Sequence, residues 1–321
     1  MIEKVLVTGG HGYLGGRIAR ALARHPEYTV FITTRTGDCP PCPWISPSRC
    51  LKMDLLEDSE VREACEGMDS IIHLAAMDEH ESAADPLKAL LVNGAGAMRL
   101  VDAAAAAGSE RVIYFSTAHV YRSPLTGTIT EETLPRPTHP YAITHRVAED
   151  YVLAAREKGL LEGLVVRLSN GIGAPVRPEV DRWSLVGNDL CLQAAVNHAL
   201  QLKTPGLQER DFIPISDIAR GVEHLLSLDP SRTGDGLFNL GGECSMTIRA
   251  LARLIGERCE TVLGFSPALH IPPARDGPRE EPLVYSIEKL KATGFRLEGS
   301  LEDEIDATLA FCREHFGEGS R

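Results

Sequence analysis

The sequence predicts a doubly wound α/β protein, a parallel sheet (Rossmann type) covered by helices on both faces, with a smaller C-terminal lobe. Three observations carry this. Short runs that are apolar throughout alternate with helical spacing as far as Leu168, and such strands belong to a sheet buried on both faces. A Gly-x-x-Gly-x-x-Gly loop joins the first run to the first helical segment. After Leu168 the alternation loosens into short elements separated by prolines.

Strands are expected at Val5 to Thr8, Thr29 to Thr33, Arg49 to Met53, Ser70 to Leu74, Arg111 to Ser116 and Gly163 to Leu168. Helical spacing marks Gly16 to Arg24, Asp58 to Cys65, Pro86 to Ala107 and Tyr141 to Lys158. The alanine run Ala103 to Ala107 meets Gly108, a C-terminal stop. The dinucleotide-type domain is expected to hold residues 1–168 plus 214–242. Residues 169–213 plus 243–321 then form a substrate-binding lobe over the C-terminal edge of the sheet.

The chain has 321 residues, 43% apolar and 24% charged, an ordinary globular composition. Its 33 basic against 45 acidic residues give a net charge of −12, which repels a phosphate backbone, so nucleic acid is not an expected partner. No stretch approaches the roughly 18 consecutive apolar residues of a membrane span, so no membrane partner is expected. No leader pattern is seen, and a cytoplasmic protein is expected. The eight cysteines are scattered, which predicts reduced thiols. Cys39-Pro-Pro-Cys42 with Cys50 lacks a histidine at zinc-finger spacing, so these read as incidental loop thiols and no metal is expected.

The loop Gly9-Gly-His11-Gly12-Tyr13-Leu14-Gly15 follows the first strand directly. Gly9 suits the tight turn, Gly12 the close approach of backbone to a pyrophosphate, and Gly15 the packing of helix on strand; the helix N-terminus then points at the anion. His11, Tyr13 and Leu14 fall within the same cofactor-binding turn. At the end of the second strand an acid would take the adenosine 2′-hydroxyl, but Thr34 and Arg35 stand there. A guanidinium beside a small hydroxyl suits a 2′-phosphate, so NADP is favoured, with NAD possible.

Thr8-Gly9-x-x-Gly12-x-x-Gly15, together with motifs further along the chain, resembles the extended short-chain dehydrogenase/reductase family, which contains nucleotide-sugar epimerases and dehydratases. The resemblance covers nearly the whole chain. Met53-Asp54-Leu55 is similar to the element whose Asp lies near the adenine, and His73-Leu74-Ala75-Ala76 to the segment beside the cofactor. Asn93 matches the asparagine of the family's fourth helix. Phe115-Ser116-Thr117-Ala-His-Val-Tyr121 resembles the motif of the catalytic Ser or Thr, which puts Thr117 in that role with Ser116 beside it. Tyr141-Ala-Ile-Thr-His145 lies where the family has Tyr-x-x-x-Lys. Asn170, in Arg167-Leu-Ser-Asn170, and Arg210, in the segment 210–217, match two late motifs and, with Arg275, are implied to contact substrate; Arg177, Arg182 and Arg279 add positive charge there.

The resemblance implies hydride transfer at a sugar carbinol or ketone of a nucleotide-sugar, with Tyr141 as acid/base and Thr117 bonded to the same oxygen. Ala118 and His119 stand where the dehydratases carry an Asp-Glu pair, which disfavours dehydration. His145 replaces the lysine and lies one helical turn from Tyr141, about 6 Å away on the same face. It can bond the cofactor ribose, but an imidazole titrating at about 6.5 supplies little charge to lower the tyrosine pKa. Arg146 is rotated about 100° off that face. Two other functions stay open: a reductase of a small non-nucleotide carbonyl compound, and a catalytically impaired NADP-binding protein. A homodimer is expected through the long helices at 86–107 and 141–158.

Overall fold

Val5, Val7 and Leu6 are wholly buried but point to opposite faces of the first strand, so helices must cover the sheet on both sides. The computed structural model describes residues 2–274 and 281–317. In it β1 (Glu3–Thr8), β2 (Tyr28–Thr34), β3 (Cys50–Lys52), β4 (Ser70–His73) and β5 (Arg111–Thr117) precede the short β6 (Thr128–Ile129) and then β7 (Glu162–Leu168). After these come β8 (Asn170–Ile172), β9 (Ala199–Gln201), β10 (Glu209–Pro214), β11 (Leu237–Leu240), β12 (Ser245–Thr247), β13 (Ala268–His270) and β14 (Val284–Tyr285). Seven strands form one parallel sheet in the order β11-β7-β5-β4-β1-β2-β3. The order reverses between β1 and β4, and a ligand crevice opens at the C-terminal ends of strands at such a point. The fold is the expected Rossmann-type α/β architecture.

The helices are α1 (Tyr13–Leu22), α2 (Asp58–Cys65), α3 (Glu79–Ala84), α4 (Pro86–Ala89), α5 (Gly96–Ala107), α6 (Pro140–Glu157), α7 (Val186–Asn197), α8 (Ile215–Ser227), α9 (Ile248–Leu263), α10 (Glu288–Ala292) and α11 (Leu301–Phe316). Ile18 and Leu22 of α1, with Ile218 and Val222 of α8, cover one face of the sheet. Val61 of α2, Leu100 of α5 and Val152 of α6 cover the other. Each such side chain contributes about 1.5–3 kcal/mol by leaving water. A separate core joins Leu190 of α7, Leu251 of α9 and Ile305 of α11 to Phe212. Ile287, Leu290 and Phe295, expected in the lobe, are instead buried in the core that α1 and α8 share.

Two elements differ from their expected form. α1 starts at Tyr13, three residues before the expected Gly16, because the turn closed by Gly12 N–H to Gly9 C=O (2.8 Å) leads straight into it. The run 86–107 is α4, a π-turn over Leu90–Ala95 and α5. The π-turn holds Asn93, whose side chain is drawn out of helical register toward the loop after β4. By length and composition this run is the one helix among the described residues apolar enough to cross a membrane; half of it is buried, packed on α2 and α6.

Candidate active site

The glycine-rich loop ends on an open helix terminus. Gly9 takes φ +66°, and a Cβ on Gly15 would come within 2.2 Å of the Gly9 carbonyl oxygen, so helix and loop meet where only hydrogen fits. Gly12 caps α1 with no side-chain hydrogen bond and the first turn has no acid, which leaves the N–H groups and the positive helix end for an anion. Burial lowers the His11 pKa, and the charge of Arg177, whose Nε is buried with no partner among the described residues, lowers it further. An uncapped N-terminus, a glycine cradle and an unpartnered guanidinium fit a dinucleotide pyrophosphate.

The other residues expected beside the coenzyme have these surroundings. Thr8 Oγ1 accepts from the N–H of Leu74 and Ala75 (3.0 and 3.1 Å) and pairs with His73 Nδ1 (2.8 Å), locking β1 to the segment after β4 that ends with Ala76. Thr34 closes β2 by accepting from Gly37 N–H, and Arg35 stands exposed beyond it. Asp54 accepts from Leu56 N–H, and Leu55 is buried. Leu14 packs on the core under α1, while the Tyr13 hydroxyl reaches the Gly171 carbonyl in the lobe (3.4 Å). Asn93 is spent inside the protein: it is buried, accepts from Met77 N–H (2.7 Å) and donates to Thr144 Oγ1 (3.1 Å). His11 turns its ring onto Cys39, Cys42 and Cys50, leaving its backbone in the loop.

Thr117 ends β5, and its Oγ1 accepts from His119 N–H (3.2 Å). Tyr141 is the second residue of α6, whose N-cap His139 accepts the Tyr141 N–H through Nδ1 (3.3 Å). α6 is fixed to β5 and β7 from within. Glu149, fully buried, accepts from Ser116 Oγ (2.5 Å), from Arg167 Nε and Nη2 (2.9 and 2.6 Å) and from Arg146 (2.9 Å). Ser116, expected beside the cofactor, therefore has its hydroxyl turned into this network. Burial pushes the Tyr141 phenol up to about 12; Arg182 opposes the rise, and Glu79 and Asp78 add to it.

His145 lies on the face of Tyr141, with ring centroids 4.3 Å apart. Its Nδ1 pairs with the Tyr114 hydroxyl (2.5 Å), and its Nε2 is buried with no partner among the described residues. Burial, aided by His73, pushes the imidazole down to about 3, and burial alone pushes His73 down to about 4. Both rings are therefore neutral at pH 7. Because their folded pKa values lie below the unfolded value of about 6.5, the unfolded chain binds more protons as pH falls. Their stabilising contribution is whole above about 6.5 and is lost below it, each group by about 1.4 kcal/mol per pH unit at most. Urea unfolding at pH 7.5 and pH 5 should show wild type losing stability, with His145→Gln losing less; equal losses would refute the burial account.

On the lobe side, Asn170 and Arg210 come together across β8 and β10, with Arg210 Nη1 donating to Asn170 Oδ1 (3.5 Å) and Asn170 Nδ2 to the Asp211 carbonyl (3.0 Å). Asp211, buried, accepts from Gly242 and Cys244 N–H, which pins the strand that presents Arg210. Arg182 pairs with Asp78 at the head of α3 (2.5 Å), bridging lobe and sheet domain. Arg275 and Arg279 lie outside the described residues. Tyr114, Glu149 and Asp211 escaped the sequence reading. Glu149 alone had a signal there, since it falls one turn beyond His145 and two beyond Tyr141 on one face of α6.

A doubly wound sheet whose strand order reverses beside a glycine-rich loop and an uncapped helix N-terminus defines a nucleotide-coenzyme enzyme fold. The chain belongs to the NAD dependent epimerase/dehydratase family, whose sequence profile matches residues 5–241. It is 29% identical over 304 residues to the UDP-glucose 4-epimerase of Corynebacterium glutamicum, covering 90% of this chain and 88% of that one. With the dTDP-D-glucose 4,6-dehydratase of Mus musculus it shares 26% over 327 residues, 98% and 90% of the two chains. The crystal structure of UDP-glucose 4-epimerase from Thermotoga maritima superposes with a TM-score of 0.81 at 21% identity, covering 97% of this chain and 99% of that one.

Proposed function

We propose that this protein is an epimerase or reductase that transfers a hydride at a sugar carbon of a nucleotide-sugar, with Tyr141 as acid/base, and that its coenzyme is NADP in preference to NAD. The observation that supports the reading is the buried network Ser116–Glu149–Arg167, which ties α6, the helix that carries Tyr141, to β5, the strand that ends on Thr117. The nicotinamide, when bound, supplies the hydride acceptor or donor. Thr117 would donate to the reacting sugar oxygen and Tyr141 exchange a proton with it. His145, neutral, orients the ribose through Nε2 while the Tyr114 hydroxyl holds Nδ1. Arg210, steadied by Asn170, would meet the sugar-nucleotide diphosphate.

Because His145 brings no fixed charge, Tyr141 keeps a higher pKa than a lysine would allow. A nucleotide-sugar panel, with nicotinamide absorbance followed at the same time, tests the reaction; turnover of a small ketone with no sugar nucleotide bound would replace it with the reductase alternative. On the cognate substrate, His145→Lys should move the basic limb of the pH–rate profile at least one unit toward acid relative to wild type, whereas a limb that stays in place would remove His145 from the mechanism.

The NADP preference rests on the exposed Arg35 beside Thr34. Arg35→Ala should raise KM for NADP about tenfold and leave that for NAD within twofold, by loss of a charge-assisted contact of about 1.5 kcal/mol; equal changes for the two coenzymes would refute the preference. A homodimer is part of the proposal, since Leu87 and Leu91 near α4 and Ile143 and Tyr151 on α6 are left exposed. Light scattering at micromolar concentration should return twice the chain mass. A cytoplasmic setting completes it, consistent with eight unpaired thiols.

A further inference from the structure

His11 projects from the glycine-rich loop into thiols that arrive from two other segments. Its Nε2 lies 3.8 Å from Cys39 Sγ and 3.6 Å from Cys50 Sγ, and the three ligand atoms all lie within 4.8 Å of one another. Across the ring, Nδ1 lies 3.8 Å from Cys42 Sγ. In tetrahedral zinc sites, with bonds of about 2.3 Å to sulfur and about 2.0 Å to nitrogen, neighbouring ligand atoms stand about 3.5–3.8 Å apart. The His11 to sulfur spacings have that length. All four side chains keep some exposure, so an ion can enter.

We propose that His11 Nε2, Cys39 Sγ and Cys50 Sγ bind one zinc ion, while the Nδ1–H of the same ring donates to Cys42 Sγ and fixes its orientation. Soft thiolates with one imidazole select zinc over magnesium or calcium. On binding, Cys39 and Cys50 each release a proton, and the two thiolates cancel the charge of the ion, so the neutral centre is tolerated close to the Arg177 guanidinium. Cys42 fills the place of the partner that orients a metal-bound histidine through its second nitrogen. The ligands stand 28 and 39 residues from His11 in the chain, so the ion staples the β2–β3 connection, which begins at Arg35, onto the pyrophosphate loop. The site is independent of the sugar chemistry proposed above, since the ion can be counted with no substrate present.

The test is the zinc content of the full chain, purified under reducing conditions and titrated with zinc against a chromogenic chelator. One zinc per chain is expected in wild type. Cys39→Ser and Cys50→Ser should each lose it, Cys42→Ser should keep one ion bound about 10–100-fold more weakly, and Cys244→Ser, a thiol elsewhere, should match wild type. Stripping the ion should lower the melting temperature of wild type and leave that of Cys39→Ser unchanged. Wild type that binds no stoichiometric zinc, Cys39→Ser and Cys50→Ser that retain it, or an intact mass showing a Cys39–Cys50 disulfide in protein purified without reductant would overturn the proposal.

Discussion

Tyr141→Phe is expected to bind coenzyme as wild type does and to turn over at least about a hundredfold more slowly, the usual scale for removing a positioned acid/base. The substitution deletes one oxygen and leaves the ring, so the T-shaped contact with His145 and the start of α6 should survive. With the phenol pushed up to about 12, Tyr141 is protonated at neutral pH, which in the proposed reaction would let it give its proton to a carbonyl. In the reverse direction it must first lose that proton, so the rate of sugar oxidation should climb with pH through the neutral range, about tenfold per unit until another step limits. Stopped-flow measurement of nicotinamide reduction from pH 6 to 9 checks both statements. Turnover of Tyr141→Phe within fivefold of wild type would remove Tyr141 from the chemistry.

The largest loss of stability is expected at Glu149. Its carboxylate meets Arg167, which is 1% exposed, stacks over Tyr121 at 4.7 Å and has an Nη1 with no partner among the described residues. Removing the acid strands a buried guanidinium, at a cost of about 3–5 kcal/mol. Glu149→Ala should therefore lower the urea midpoint sharply, and Arg167→Met should do so by a similar amount. The double variant, with no unpaired charge left inside, should lose much less than the sum of the two. Additive losses would show that the two side chains do not depend on each other. Because Ser116 shares the Glu149 carboxylate, Glu149→Gln should also lower kcat more than it raises KM, by loosening the tie between β5 and the helix that carries Tyr141.

The parts of the molecule legible in its sequence are those whose cause is local. The glycine loop is set by turn geometry within seven residues, and the strands by runs that are apolar throughout, so both stand where expected. Tyr141 and His145 share a face because a helix repeats every 3.6 residues. The π-turn at 90–95 was not legible, since it depends on Asn93 reaching Met77 and Thr144 across space. Tyr114 reads as one more apolar strand residue until its hydroxyl meets His145. The contact of His11 with the thiols at 39, 42 and 50 was hidden for the same reason: the histidine lies in a different loop, and no spacing rule spans a crossover.

α1 does more than offer its N-terminus to an anion. Arg17, one turn along it, donates to the Ala174 carbonyl (2.9 Å) and pairs with Glu304 of α11 (2.6 Å), so the helix that follows the glycine-rich loop is tied to the helix that closes the second core. Glu304 is itself nearly buried, and its other oxygen takes the Ser216 N–H at the head of α8. Under the proposed function, a shift of α1 on coenzyme binding would be passed to α11 and α8 through these contacts. Thermodynamic linkage then fixes a symmetry for the proposed ligands: whatever factor one imposes on the affinity of the other, the second imposes on the first, and cutting the Arg17–Glu304 pair should change that shared factor equally in both directions.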